Sequence, residues 1–207
     1  MCQGLGLYFE KAAWRRGFRA VAGMDEVGRG PLAGPVVVGI VLVPKEGLKL
    51  AREIAARDSK ILSPKRREVL SKQIRASYPW AVGICTARMI DRFGISWALR
   101  YAVRRAGKAL ERKPDYVLAD YGLSIAELEV EGENMVGGDG KIFSVACASI
   151  VAKVWRDDWM RRQARRYPEY AFEKHKGYGT RAHYAALAKY GTCPLHRMSY
   201  GLEKFAK

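Results

Sequence analysis

The chain has 207 residues, of which 49% are hydrophobic; this suits a single globular domain spanning 1–207 with a real core. No apolar run reaches membrane-spanning length, and Met1–Glu10 lacks the charged-then-apolar pattern of a secretory leader, so neither a membrane span nor an export signal is expected. Lys and Arg total 37 against 21 Asp and Glu, and the resulting net charge of +16 points to a polyanionic partner, nucleic acid above all.

In chain order, Ala20–Asp25 reads as a short strand, and Val36–Val43 (VVVGIVLV) as an unbroken apolar strand covered on both faces. Ser63-Pro64 is an N-cap followed by a first-turn proline, so a helix begins there. Trp80–Thr86 is a third strand. A helix follows from Ile95 to about Arg112, with Ile95, Ala98, Ala102, Ala106 and Ala109 along one face. Asp115–Asp120 is a fourth strand, and a weaker fifth lies near Leu128–Val136. A long helix runs from near Ser144 towards Arg166, with Ala148, Val151, Trp155 and Trp159 on one stripe. Thr180 caps a last helix that stops at Gly191, before Pro194. Strands alternating with helices, then helices alone from about residue 144, predict an α/β sheet with a helical C-terminal region. The four cysteines (Cys2, Cys85, Cys147, Cys193) contain no CxxC pair, and His175, His183 and His196 form no ligand pattern. A zinc site and a disulfide framework are therefore not expected, and a reducing cytoplasm is.

In so basic a chain the acidic residues at strand ends stand out. Asp25-Glu26 closes the first strand, Asp120 closes the fourth, and Asp139 sits between glycines just before the long helix. Ligands bind where the central strands of such sheets end, so three of these four could converge. Clustered carboxylates repel unless a cation lies between them, and hard cations such as Mg²⁺ or Mn²⁺ take oxygen ligands of this kind. That arrangement beside a basic surface is what two-metal phosphodiester hydrolysis needs. Adjacent strand residues face opposite ways, however. Glu26 can join Asp25 only if the strand bends or if Glu26 offers its backbone carbonyl. The alternative for each acid taken singly is an ordinary turn or cap residue.

Gly28-Arg29-Gly30 is a tight loop whose backbone could approach a sugar-phosphate chain closely. Lys65, Arg66 and Arg67 open the helix after Ser63-Pro64, with Lys60 just upstream. Cations there oppose the helix dipole, which makes sense if that end faces a phosphate. Tyr178, between Gly177 and Gly179, could be presented for stacking on a sugar or base, or could be a buried ring at a helix start.

Together these residues resemble the ribonuclease HII family from Val21 to about Ser199. The matching stretches are AGMDEVGRGPLAGPVV, RDSKILSPKRRE, the strand ending in Asp120, Gly138-Asp139, SVACASIVAKVWRD, and HKGYGT with PLHRMS. The resemblance implies the ribonuclease H fold, a five-stranded mixed sheet flanked by helices with a helical C-terminal extension. It implies a metal site at Asp25, Glu26, Asp120 and Asp139 holding two Mg²⁺ or Mn²⁺ ions, a Gly28-Arg29-Gly30 loop, and a junction-reading Tyr178. Asp58, Ser59 and Lys60, with Lys65 and Arg66, match a substrate-backbone region. Tyr121 before Gly122, and Gly137 before the Gly-Asp pair, depart from the family's usual residues. Arg29 favours type HII over type HIII, which usually carries lysine there.

The activity so implied is hydrolysis of the RNA strand of RNA–DNA hybrids and incision 5′ of single ribonucleotides in DNA, leaving 3′-hydroxyl and 5′-phosphate ends. The implied role is ribonucleotide removal and RNA-primer clearance in DNA repair and replication. A cytoplasmic monomer is expected, and no sliding-clamp-binding tail is recognised. Two rivals are a nonenzymatic nucleic-acid-binding protein and a resolvase on the same fold. Four carboxylates argue against the first, since spare acids weaken phosphate binding. The loop paired with Tyr178 argues against the second.

Overall fold

The structure is a computed structural model that describes residues 5–45 and 62–206. Its centre is a five-stranded sheet in the order β3-β2-β1-β4-β5, built from β1 (Ala20–Val27), β2 (Val36–Pro44), β3 (Trp80–Cys85), β4 (Tyr116–Asp120) and β5 (Glu131–Met135). The pairs β1–β2 and β2–β3 are antiparallel, whereas β1–β4 and β4–β5 are parallel. The sheet is therefore mixed, as the resemblance implies.

The period of two divides β2 cleanly. Val41 and Val43 enter one core and Val36, Val38, Ile40 and Leu42 the other, all fully buried. The first core lies under α2 (Pro64–Ser77) and α5 (Phe143–Ala164), the second under α4 (Ile95–Ala109), which α3 (Ala87–Phe93) precedes. A third cluster joins α5 to the C-terminal elements, α6 (Phe172–His175) and α7 (Arg181–Tyr190).

Several boundaries follow local chemistry. Ser63 accepts from the Arg66 amide and Thr180 from the His183 amide, so both expected N-caps are in place. α4 ends at Ala109 rather than Arg112 because Leu110 is already extended. The fifth strand is shorter than its sequence window, since Ile125–Leu128 forms a 3-10 turn closed by left-handed Glu129. What remains of it is an edge strand whose exposed Glu131 and Glu133 discourage further pairing.

Helix α1 (Tyr8–Arg15) and helix α3, capped by Thr86 and ended by Gly94, are additional to the elements expected from the sequence. α1 is fastened by Glu10, fully buried, whose Oε1 accepts the Ser144 amide at 2.7 Å in the first turn of α5. Burial raises the Glu10 carboxyl above the usual carboxylate range, and the Ser144 hydrogen bond offsets that only in part.

α5 lies unusually close to the sheet. A Cβ on Gly23 would come within 2.0 Å of the Ser144 carbonyl carbon, and one on Gly39 within 2.5 Å of the Ala148 oxygen. Gly23→Ala is accordingly expected to cost about 3 kcal/mol in urea unfolding. Gly30→Ala, where an added Cβ meets nothing within 4 Å, is expected to stay within about 0.5 kcal/mol of wild type.

Candidate active site

The same close approach brings α5 against the carboxyl ends of β1 and β4. Pairing of β1 with β4 stops at Met24 and Ala119, so Asp25, Glu26 and Asp120 lie just beyond the last paired residues. Asp25 follows Val21 and Gly23 on the α5 side of β1, and Asp120 follows Tyr116 and Leu118 on the same side of β4. Alternation places Glu26 on the other face, yet its carboxylate still joins theirs. One oxygen from each of Asp25, Glu26 and Asp120 lies within 4.8 Å of the others.

Each carboxylate is held. Asp25 is 5% exposed, accepts the Glu26 amide at 2.8 Å and is hydrogen-bonded by the Ser149 side chain. Asp120 Oδ1 accepts the Gly138 amide at 2.8 Å, which fastens the Gly138–Gly140 turn to β4. Gly137, one of the departures, takes a left-handed conformation that begins this turn. Glu26 pairs with Arg29 at 3.2 Å through Oε1, while its Oε2 is buried with no donor among the described residues.

Burial pushes the Asp25 carboxyl up to about 8, opposed by Ser149 and assisted by the charges of Glu26, Asp120 and Asp139. Glu26 is raised as well, by burial first, with Arg29 opposing. Three carboxylates converging on one point, two of them held towards their neutral forms and one with an orphaned buried oxygen, make a donor set that a hard divalent cation fits. Asp139, also buried, lies outside that trio but borders the same cleft.

The cleft has a volume of about 300 Å³. Besides all four acids it is lined by Val27, the Gly28-Arg29-Gly30 loop and Tyr178, which is 41% exposed. Of the three cations opening α2, Arg67 lines the cleft, whereas Lys65 and Arg66 are exposed on the first turn. Asp58, Ser59 and Lys60 lie outside the described residues. Ser149 and Lys153 also line it and were not singled out from sequence. Their spacing of four, which puts both on one side of α5, is the signal that could have found them. Lys153 Nζ bonds Asp157 at 2.9 Å and lies 5.9 Å from the Tyr178 ring centre.

The three histidines pack together behind Tyr178. The Cys193 amide donates to His196 Nδ1 at 2.8 Å, so His196 carries its proton on Nε2, facing His183 Nε2 at 3.0 Å. His183 then holds its proton on Nδ1 and donates it to the Tyr178 carbonyl at 3.0 Å. Burial lowers both rings to about 4, so each stays neutral in the fold at physiological pH and seats the tyrosine's backbone.

The sheet order and the carboxylate cluster together define a metal-dependent nuclease of ribonuclease H architecture. Pyrococcus horikoshii ribonuclease H2 superposes with a TM-score of 0.78 at 25% identity, over 89% of this chain and 95% of that one. Bst-RNase HIII in complex with Mn²⁺ matches in fold, with a TM-score of 0.67 at 18% identity over 94% of this chain and 71% of that one. The profile of the ribonuclease HII family matches residues 22–202, and the chain belongs to that family. The ribonuclease HII of Endomicrobium trichonymphae is 44% identical over 193 residues, 93% of this chain and 90% of that protein. Membership implies a metal-dependent endoribonuclease acting on the RNA of RNA–DNA hybrids. Among the described residues, no helix is long and apolar enough to cross a membrane.

The raised Asp25 carboxyl has a stability consequence of definite sign. A carboxyl whose folded pKa exceeds its unfolded value disfavours the fold increasingly as pH rises from the unfolded value through the folded one. For Asp25 that window runs from 3.8 to about 8. In chelator at pH 7, Asp25→Asn is therefore expected to raise the unfolding free energy by about 4 kcal/mol. The gain should vanish near pH 4; an Asn variant no more stable than wild type at pH 7 would contradict the assignment.

Proposed function

We propose that this enzyme incises duplex DNA on the 5′ side of single embedded ribonucleotides as well as cutting longer RNA–DNA hybrids, leaving 3′-hydroxyl and 5′-phosphate ends. The observation that carries the reading is the convergence of four carboxylates, the Gly28-Arg29-Gly30 loop and a half-exposed Tyr178 on one cleft. Asp25, Glu26, Asp120 and Asp139 would hold two Mg²⁺ or Mn²⁺ ions, and Mn²⁺ is the ion in the related Bst-RNase HIII complex. When bound, such ions activate the attacking water and stabilise the leaving 3′ oxygen.

The chain's own groups supply the rest. Lys153 and Arg67 border the cleft and would take the scissile strand's phosphates, which position without specifying. Lys65 and Arg66, exposed beside them, would extend that contact along the duplex, with Asp58, Ser59 and Lys60 in the same region of the sequence. A single ribonucleotide in DNA differs from its neighbours by one 2′-hydroxyl. Backbone groups of Gly28, Arg29 and Gly30 would contact that hydroxyl, and the Tyr178 ring would pack on the adjoining deoxyribose, which has room for it. This chemistry serves ribonucleotide removal and RNA-primer clearance, in repair and replication, by a monomer.

Matched duplexes containing no ribonucleotide, one, or several, with and without Mg²⁺ or Mn²⁺, test the reading. Cleavage is expected only with metal and only at ribonucleotides; a cut in the all-DNA duplex, or none at the single ribonucleotide, would contradict it. Asp120→Asn is expected to lower cleavage by about 10³-fold while duplex binding persists or tightens. Tyr178→Ala is expected to lower single-ribonucleotide incision about tenfold and long-hybrid cleavage much less, with Tyr178→Phe milder. Equal loss of both activities in the alanine variant would remove the tyrosine's reading role.

A further inference from the structure

Arg197 is fully buried, yet no described carboxylate forms an ion pair with it. A desolvated guanidinium persists only when its donors are satisfied. Here they are spent on backbone. Nη2 donates to the Gly28 carbonyl at 2.7 Å and the Gly34 carbonyl at 2.8 Å, and Nε to Gly34 again at 3.0 Å. Nη1 donates to the Arg29 carbonyl at 2.9 Å and to the Tyr200 hydroxyl at 3.2 Å. That hydroxyl donates to the same Arg29 carbonyl at 2.7 Å.

The clamp is itself anchored from a distant helix. Asp91, in α3, accepts the amides of Met198 and Ser199 at 3.0 Å each and the Ser199 hydroxyl at 2.6 Å. The Arg197 amide donates to the Leu32 carbonyl at 2.8 Å. The second buried arginine, Arg156, serves a neighbouring stretch, donating to the carbonyls of Ala33, Pro35 and Lys176. The carbonyls of Gly28 and Arg29 belong to Arg197 and Tyr200.

This matters for what the loop presents. In a trans peptide the carbonyl and the following amide point in opposite directions. With the Gly28 and Arg29 carbonyls turned inward to the clamp, the amides of Arg29 and Gly30 are aimed away from it, and no described group accepts from either. Both residues are exposed and border the cleft.

We propose that Arg197 and Tyr200 are positioning residues for ribose discrimination: by holding two loop carbonyls they fix which backbone groups of Gly28–Gly30 face the substrate, without touching it themselves. The inference rests on the loop's role as a reader of the 2′-hydroxyl. A merely structural pair would alter folding, or all duplex binding alike. A positioning pair alters the preference for ribose.

The test compares affinities for matched duplexes with one ribonucleotide and with none, in Mg²⁺, on an Asp120→Asn background so that the duplexes survive. Tyr200→Phe removes one hydroxyl from a partly exposed ring and is expected to keep the unfolding midpoint of the parent protein. It should reduce the ratio of the two affinities about threefold. Arg197→Lys keeps the charge but cannot fork to three carbonyls, and should reduce the ratio about tenfold, with affinity for the all-DNA duplex unchanged. Should Arg197→Lys fail to fold, Tyr200→Phe decides the matter alone. Variants that keep the full ratio, or lose both affinities in parallel, overturn the clamp and leave the loop's reading role standing. A parent protein that shows no ribose preference overturns that role, and the clamp with it.

Discussion

Like-charged carboxylates gathered at one end of a sheet are the constraint on which the rest of this structure depends. Asp25 and Asp120 come together because β1 and β4 are parallel neighbours at the sheet's centre, and Glu26 joins them past the last paired residues. Their mutual repulsion and burial oppose folding, so the surroundings must fix them firmly. Gly23 and Gly39 admit α5 into backbone contact with the sheet, which puts Ser149 on Asp25 and carries the Gly138–Gly140 turn to Asp120. The site is thus a place where stability is given up for function, as expected where charges are kept for a ligand that the bare fold does not contain.

Positive charge is arranged on the opposite plan. Arg156 and Arg197 are buried without an ion-pairing carboxylate among the described residues and donate to backbone carbonyls of the segments that border the cleft. The histidines, kept neutral by burial, hand one hydrogen bond on to the Tyr178 carbonyl. Acids converge where a cation fits, while buried bases hold loops.

Much of this was legible in the sequence for physical reasons. The unbroken run in β2 means burial on both faces, and Val36–Val43 indeed divides between two cores. The caps at Ser63 and Thr180 announced their helices. Aspartates at strand ends marked the site's edge. Glu26 was not assignable by alternation alone, because alternation puts it on the face opposite Asp25, yet its carboxylate joins those of Asp25 and Asp120 beyond the last β1–β4 pair. Helix α1 depends on partners far away in sequence: Ala13 and Trp14 enter the first core, and Glu10 accepts the Ser144 amide. Arg197 lay within a stretch matched to the family, but nothing local distinguishes a buried clamp from a surface arginine.

The carboxylate cluster is a strained cation site. This is tested most directly by urea unfolding of wild type and Asp120→Asn in chelator and in saturating Mn²⁺. Mn²⁺ is expected to stabilise wild type by at least about 2 kcal/mol, as for an ion binding the native state at a hundred times its dissociation constant, and the variant far less. Equal stabilisation of both proteins, or none of either, would contradict it.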